Sequence, residues 1–381
     1  MWGNDKSFFD VLSMASGSSD SYALQTFIEA FKERYNKLEV NGFGWAAPQY
    51  DFSFQQLSKE YGINGMATYV DIDSSGTPIT TEGVELQTGN IPRMKKYAAF
   101  DEKDYRKELL IAAVGSDPQA SAQRLMFNAV KKLIDSHTNS LTYQRHQMVS
   151  AGKFELTAAN NAGGITGTVF KASIPTENIT TKTSTAKWWD GDDADGSTSD
   201  PIKDLKDIGQ KAEERGSAYH WEVDKITFNR LLRHAKVVQA IGYHLFPQAA
   251  SATIANNVAS NSGRDAQKAA LEAIIGFPIV VIDSISRVDS FDKAQNKVVG
   301  REVRSFKPNV FTLVPDGQIG EILSVVPIKV DPNGSYADYY SGRLLMSYAY
   351  NTLKKTQIIE TEMTALVVPD KPKYMYQLNI A

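Results

Sequence analysis

The 381 residues of this chain leave room for two to three packed units at roughly 150 residues each. Lys plus Arg number 41 and Asp plus Glu 44, a formal charge of −3, which is too balanced for a protein that coats nucleic acid by charge alone. No run approaches the roughly 20 apolar residues of a membrane span, and the absence of cysteine excludes disulfides, thiolate metal sites and thiol nucleophiles. Residues 1–17 carry Asp5 and Asp10 without a continuous apolar stretch, so no secretory leader is expected.

In chain order, residues 21–39 place Tyr22, Leu24, Phe27, Ile28, Phe31, Tyr35 and Leu38 at three- and four-residue steps, the spacing of an amphipathic helix. The aromatic stretch that follows, with Trp45, Tyr50, Phe52 and Phe54, is too short for a core of its own and needs a surface in the same chain or a neighbour. Residues 66–72 and 83–87 read as strands of a long hairpin around the turn signal at 73–78. Within 61–92 lie Asp71, Asp73, Glu82 and Glu85 with no Lys or Arg, whereas Arg93, Lys95 and Lys96 follow at once, so charge is segregated along the arm. Asp117 and Pro118 form a helix start, and Leu125, Met126, Val130, Leu133 and Ile134 a 3.6-residue stripe that predicts a helix of some 30 residues, roughly 45 Å, stopping near Gly152. A loop at 162–167 and a strand over 166–174 come next.

A polar boundary at 190–201 opens a second unit. The pattern there predicts helices over 202–215, 224–240 and 264–275, and strands over 219–223, 278–282, 309–314 and 319–326. Residues 251–262 read as a small-residue loop. The close, 355–380, is β-rich with a corner at Pro369 to Pro372, so the chain is expected to return to the first unit; the order is that of an α+β protein.

Sites for chemistry are sparse. His137, His146, His220, His234 and His244 form no HExxH or close pair, and are read as scattered surface or partly buried residues; the first two fall on opposite faces of the long helix. Asp190, Asp192, Asp193 and Asp195 resemble a cation loop, but an EF-hand register through Gly196 puts Ile202 at the twelfth ligand position, so a solvated linker is favoured. Gly163, Gly164 and Gly167 lack the lysine of a phosphate loop. Trp188 and Trp189 either stack on a base or sugar or, as such pairs do more often, cap a core. No cofactor, metal or catalytic residue is predicted.

The succession of arm, charge-segregated hairpin, long helix, separate lobe and β-rich return resembles the Hong Kong 97 fold of tailed-phage major capsid proteins, and in particular the lambda-like major head protein family. Segments that resemble the family's are Lys187-Trp188-Trp189 leading to Asp200-Pro201, Trp221-Glu222-Val223-Asp224, Gly276-Phe277-Pro278-Ile279-Val280, Asn309 to Pro315, and the closing Glu362-Met363-Thr364 and Gln377 to Ala381. The N-terminal arm matches least. The resemblance implies an N-terminal arm at 1–60, an extended loop at 61–107, a peripheral domain with spine helix at 108–201, an axial domain at 202–340 whose tip is 251–262, and a peripheral return at 341–381.

The function so implied is that of a non-enzymatic major capsid protein, assembled in the bacterial host cytoplasm into an icosahedral virion shell around double-stranded DNA. The implied partners are copies of itself in hexamers and pentamers, a portal protein, and decoration and scaffolding proteins, with no sequence-specific DNA contact and no membrane. Intersubunit contact is expected at Asp71, Asp73, Glu82 and Glu85 against Arg93, Lys95 and Lys96 of a neighbour, and at Trp45 and Phe52. Two alternatives stand beside it: an encapsulin-like compartment shell, and a soluble hydrolase or carbohydrate-binding protein using Trp188, Trp189 and the Asp loop.

Overall fold

The computed structural model describes residues 38–57, 86–100, 118–163, 165–190, 194–216, 218–292, 297–329, 335–351 and 356–380. Short strands come first: β1 (Phe43–Trp45), β2 (Ser53–Leu57), β3 (Leu86–Asn90) and β4 (Arg93–Phe100). Helix α1 (Pro118–Ala151) is 34 residues long, about 51 Å at the α-helical rise. Val130, Leu133, Ile134, His137 and Leu141 form its buried stripe, whereas from Gln144 to Ser150 nearly every side chain is buried. The helix stops at Gly152, whose φ of 66° favours glycine and where a Cβ would meet Ile174 Cδ1 at 3.1 Å.

The hairpin of β5 (Lys153–Leu156) and β6 (Gly167–Lys171) follows, then β7 (Ile179–Thr181), β8 (Trp189–Asp190) and β9 (Ala194–Asp195). Helix α2 (Pro201–Glu213) starts where an N-cap aspartate and a proline call for it: Asp200 accepts from Lys203 N at 3.2 Å. Next come β10 (Tyr219–Asp224), α3 (Lys225–Leu231), α4 (Ala235–Leu245), α5 (Ala252–Asn261) and α6 (Arg264–Ile275). The chain closes with β11 (Ile279–Ile282), β12 (Ile285–Asp292), β13 (Lys297–Arg304), β14 (Val310–Pro315), β15 (Gly320–Val325), β16 (Ser335–Tyr339), β17 (Leu344–Asn351), β18 (Thr356–Pro369) and β19 (Tyr376–Asn379).

Two expectations in the lobe are corrected. The single helix over 224–240 is two, because the Asp195 carboxylate accepts from Ala235 N at 2.8 Å and starts a new helix at His234, a cap forty residues away in sequence. The loop expected at 251–262 is helix α5: the Ser251 hydroxyl caps Ile254 N, and alanines 252, 255 and 259 favour the helical state. This helix packs on α4 so closely that a Cβ on Gly242 would lie 2.0 Å from the Ala255 carbonyl oxygen. The hairpins β12–β13 and β16–β17 were not foreseen, since their apolar residues alternate weakly with charge. The predicted N-terminal helix, apart from the non-helical Leu38 and Glu39, and the hairpin over 66–87, apart from its last two residues, lie outside the described residues.

The chain divides into two units. The first takes in Met1–Phe54, Asn90–Thr142 and Glu321–Val367, the second Gln55–Gly89, Tyr143–Gly320 and Val368–Ala381, so α1 contributes to both. In the first, the sheet runs β1-β15-β18-β17-β16, with β4 also paired to β18. His137 is buried here, its Nε2 2.9 Å from Thr361 Oγ1.

The second unit holds a mixed sheet in the order β11-β10-β14-β19-β7, parallel at both ends and antiparallel between. Trp188, Trp221, Phe228, Phe311 and Tyr376 centre its core, each contributing about 1.5–3 kcal/mol by burial. Gly209 on α2 admits the Phe277 ring, which a Cβ would meet at 2.2 Å. The architecture is α+β, with a mixed sheet in the second unit.

Candidate assembly surface

The alternation of β4 sends Arg93, Lys95 and Tyr97 to one side of the strand and Met94, Lys96 and Ala98 to the other. Of the three predicted basic residues, the structure therefore brings together two. Register on β18 sets Lys95 opposite Glu362 and Tyr97 opposite Glu360. Lys95 Nζ lies 2.9 Å from Glu360 Oε1 and 3.2 Å from Glu362 Oε2, and Arg93 pairs with Glu362 as well.

The hydrogen bond that Lys95 donates to Glu360, helped by Glu362, raises the Lys95 pKa. Burial works to raise the Glu362 carboxyl, but the bonds and charges of Arg93 and Lys95 outweigh it and hold it below the usual value. This ladder lines a shallow groove of about 160 Å³ with Tyr336 and Ile328. The partner glutamates were missed. Their signal was the shared i, i+2 spacing: Arg93 and Lys95 on one strand, Glu360 and Glu362 on the other.

Trp45 is half-buried and engaged by its own unit. Its Nε1 donates to the Leu38 carbonyl at 2.9 Å, its ring lies 5.6 Å from Tyr340, and the Arg343 guanidinium stacks 5.1 Å from its centroid while donating to Ala46 O. Phe43 and Phe54 are buried, whereas Tyr50 and Phe52 stand out at 83% and 51% exposure. Asp71, Asp73, Glu82 and Glu85 lie outside the described residues.

In the second unit the groups that suggested chemistry are structural. Trp188 and Trp189 are buried edge to face; Trp188 Nε1 donates to Asp204 at 2.8 Å and the Arg230 guanidinium covers Trp189. Neither ring is open to a sugar or base, which removes the carbohydrate reading's main residues. Asp195 caps α4, and among the described residues no cluster of three His, Asp or Glu side chains is placed to hold a metal.

His146 and His234 are buried, as His137 is, which corrects their reading as surface or partly buried groups: His146 Nδ1 lies 2.7 Å from Ser305 Oγ and His234 Nε2 3.0 Å from Ser199 Oγ. Ser199, though beside a histidine, donates to Gly196 O and is itself enclosed. Burial lowers the pKa of His137 and of His146 to about 4. One polar network runs from the core to the surface. Arg145 forks onto Glu222, which also meets His220, itself bonded to Asp316. Burial alone would raise the Glu222 carboxyl; His220 and Arg145 bring it down to about 2.

A family model described as phage major capsid protein E matches residues 20–308. Among solved structures, a prophage protein of E. coli CFT073 assigned as a capsid protein shares the fold at a TM-score of 0.53, with 13% identity over 94% of this chain and 99% of that one. A phage-related protein from Bordetella bronchiseptica RB50 aligns at a TM-score of 0.49 with 13% identity, over 93% of this chain and 96% of its own. No curated protein matches by sequence.

Proposed function

Since this chain belongs to the phage major capsid protein E family and is a phage major capsid protein, we propose that its copies close as hexamers and pentamers into an icosahedral shell around double-stranded DNA. The observation that carries this reading is the family match. In the reading, the parts are an N-terminal arm at 1–60, an extended loop at 61–107, a peripheral domain at 108–201 with α1 as spine helix, an axial domain at 202–340 and a return at 341–381. The length of α1 and the mixed sheet with its helices in the second unit support it. No catalytic role is assigned: His137, His146 and His234, the tryptophan pair and Asp195 are taken up by packing, buried hydrogen bonds and capping.

For the contact surface, Asp71, Asp73, Glu82 and Glu85 are proposed to meet the β4 face of a neighbouring copy, with Arg93 and Lys95 shared between that contact and Glu360 and Glu362 of their own chain, Lys96 on the reverse side, and Trp45 and the exposed Phe52 flanking it. Exposed pairs of this kind are worth about 0–1 kcal/mol each, so they orient copies while buried apolar area holds them. A portal, decoration and scaffolding proteins complete the particle in this reading. Electron microscopy of the purified protein tests it: closed shells are expected, and a chain that stays monomeric at every concentration overturns it.

A further inference from the structure

Resting on the capsid reading, the second unit carries two charged features that its own chain leaves unmatched. The first is a recess of about 360 Å³ between the end of α3, the start of α4, the end of α5 and the first turn of α6, lined by Arg233, Arg264, Ser260 and Gln267. Neither guanidinium has a carboxylate partner among the described residues, and α6 begins at Gly263 without a side-chain cap. Two arginines and free N–H groups at a helix start make the recess a receptor for carboxylate or phosphate.

The second feature is the C-terminal end of α2. Glu213 and Glu214 are exposed there and have no cationic partner among the described residues, and the helix's own terminal carbonyls add partial negative charge. Of the helix's lysines, Lys203 and Lys206 lie in its first half, and Lys211, in the last turn, donates to the Glu177 carbonyl and not to either glutamate.

These features sit at opposite ends of α2. Ser199, just ahead of α2, bonds His234, the neighbour of Arg233, and accepts from Lys236 Nζ at 2.5 Å, so the recess lies near the helix's start. Thirteen residues of helix carry the chain about 20 Å to Glu213. Complementary patches about 20 Å apart on one copy do not satisfy each other within it, and between copies they make a head-to-tail contact, which gives a ring where the rotation from copy to copy closes. We propose that Glu213 and Glu214 of one copy dock at the Arg233 and Arg264 recess of the next copy in the capsomer. The contact sets the orientation of each copy to the next, and it is repeated at every interface, so small individual attractions sum.

Charge reversal tests the contact in the full-length chain. Glu213→Arg with Glu214→Arg, and separately Arg233→Glu with Arg264→Glu, are expected to lower the assembled fraction in sedimentation at least tenfold, with circular dichroism and melting temperature unchanged. The four changes together restore the pairing with its signs exchanged and are expected to return the yield to within twofold of wild type. Either double variant assembling like wild type overturns the contact, as does a folded quadruple variant that stays unassembled. Loss of DNA retention with intact shells in the Arg233→Glu, Arg264→Glu variant also overturns it, in favour of a nucleic-acid phosphate in the recess. Wild-type chain that never leaves the monomer overturns the capsid reading itself, and the contact with it.

Discussion

Replacing Arg145 by methionine tests the buried network directly. The Arg145 side chain is 4% exposed and that of Glu222 1%, and two hydrogen bonds join them, one of 2.7 Å from Nη1 to Oε2. Methionine keeps much of the volume but leaves Glu222 with the His220 imidazole, 3.3 Å away, as its remaining side-chain partner among the described residues. Breaking a buried pair from one side costs about 3–5 kcal/mol, because the other charge stays out of water unpaired.

The pH dependence follows from the direction of the shift. In the wild type, Glu222 is held near 2 against an ordinary 4.5. Its contribution is therefore present above pH 4.5 and is lost as pH falls from there towards 2, on the order of 3 kcal/mol in all. In Arg145→Met the carboxyl rises, so the destabilisation relative to wild type is largest at neutral pH and shrinks by pH 4. Arg145→Met with Glu222→Leu removes both charges and should recover most of the loss. Urea unfolding of the unassembled subunit at pH 7 and pH 4 compares the wild type with both variants. A single-variant loss below 1 kcal/mol at pH 7, or one equal at both pH values, refutes the reasoning.

Other consequences are open to measurement. Gly242→Ala places a Cβ against the Ala255 carbonyl and should cost about 1–3 kcal/mol by overpacking, seen as a lower melting temperature with helices α4 and α5 losing protection in hydrogen exchange first. Trp188→Ala empties a fully buried site and strips Asp204 of a donor, a loss of about 3–5 kcal/mol; Trp188→Phe should retain the larger part. His137 and His146 remain neutral in the folded chain until pH nears 4, so stability should fall as pH drops from 6.5 towards 4, because the unfolded chain takes up protons first. Subunit melting across that range should show a shallower slope for His146→Asn.

Much of the architecture follows from local pattern. Pro118 and Gly152 bound α1 because a proline suits a first helical position and a left-handed residue ends a helix, and Asp200 with Pro201 starts α2 for the same kind of reason. The order of elements carried the resemblance to capsid proteins, and charge balance with an absence of cysteine narrowed the alternatives before any fold was known.

What the tertiary structure alone decided rests on partners distant in sequence. Arg93 and Lys95 read as an unmatched basic strip until β18 brings Glu360 and Glu362 beside them across more than 260 residues. The break at His234 depends on a carboxylate from Asp195, and α5 forms where its small residues find α4 with a glycine opposite. Periodicity reports which face of a segment seeks cover and where its backbone is free to turn. It carries no information about which remote donor, acceptor or cavity answers, because that choice is made by packing the whole chain at once.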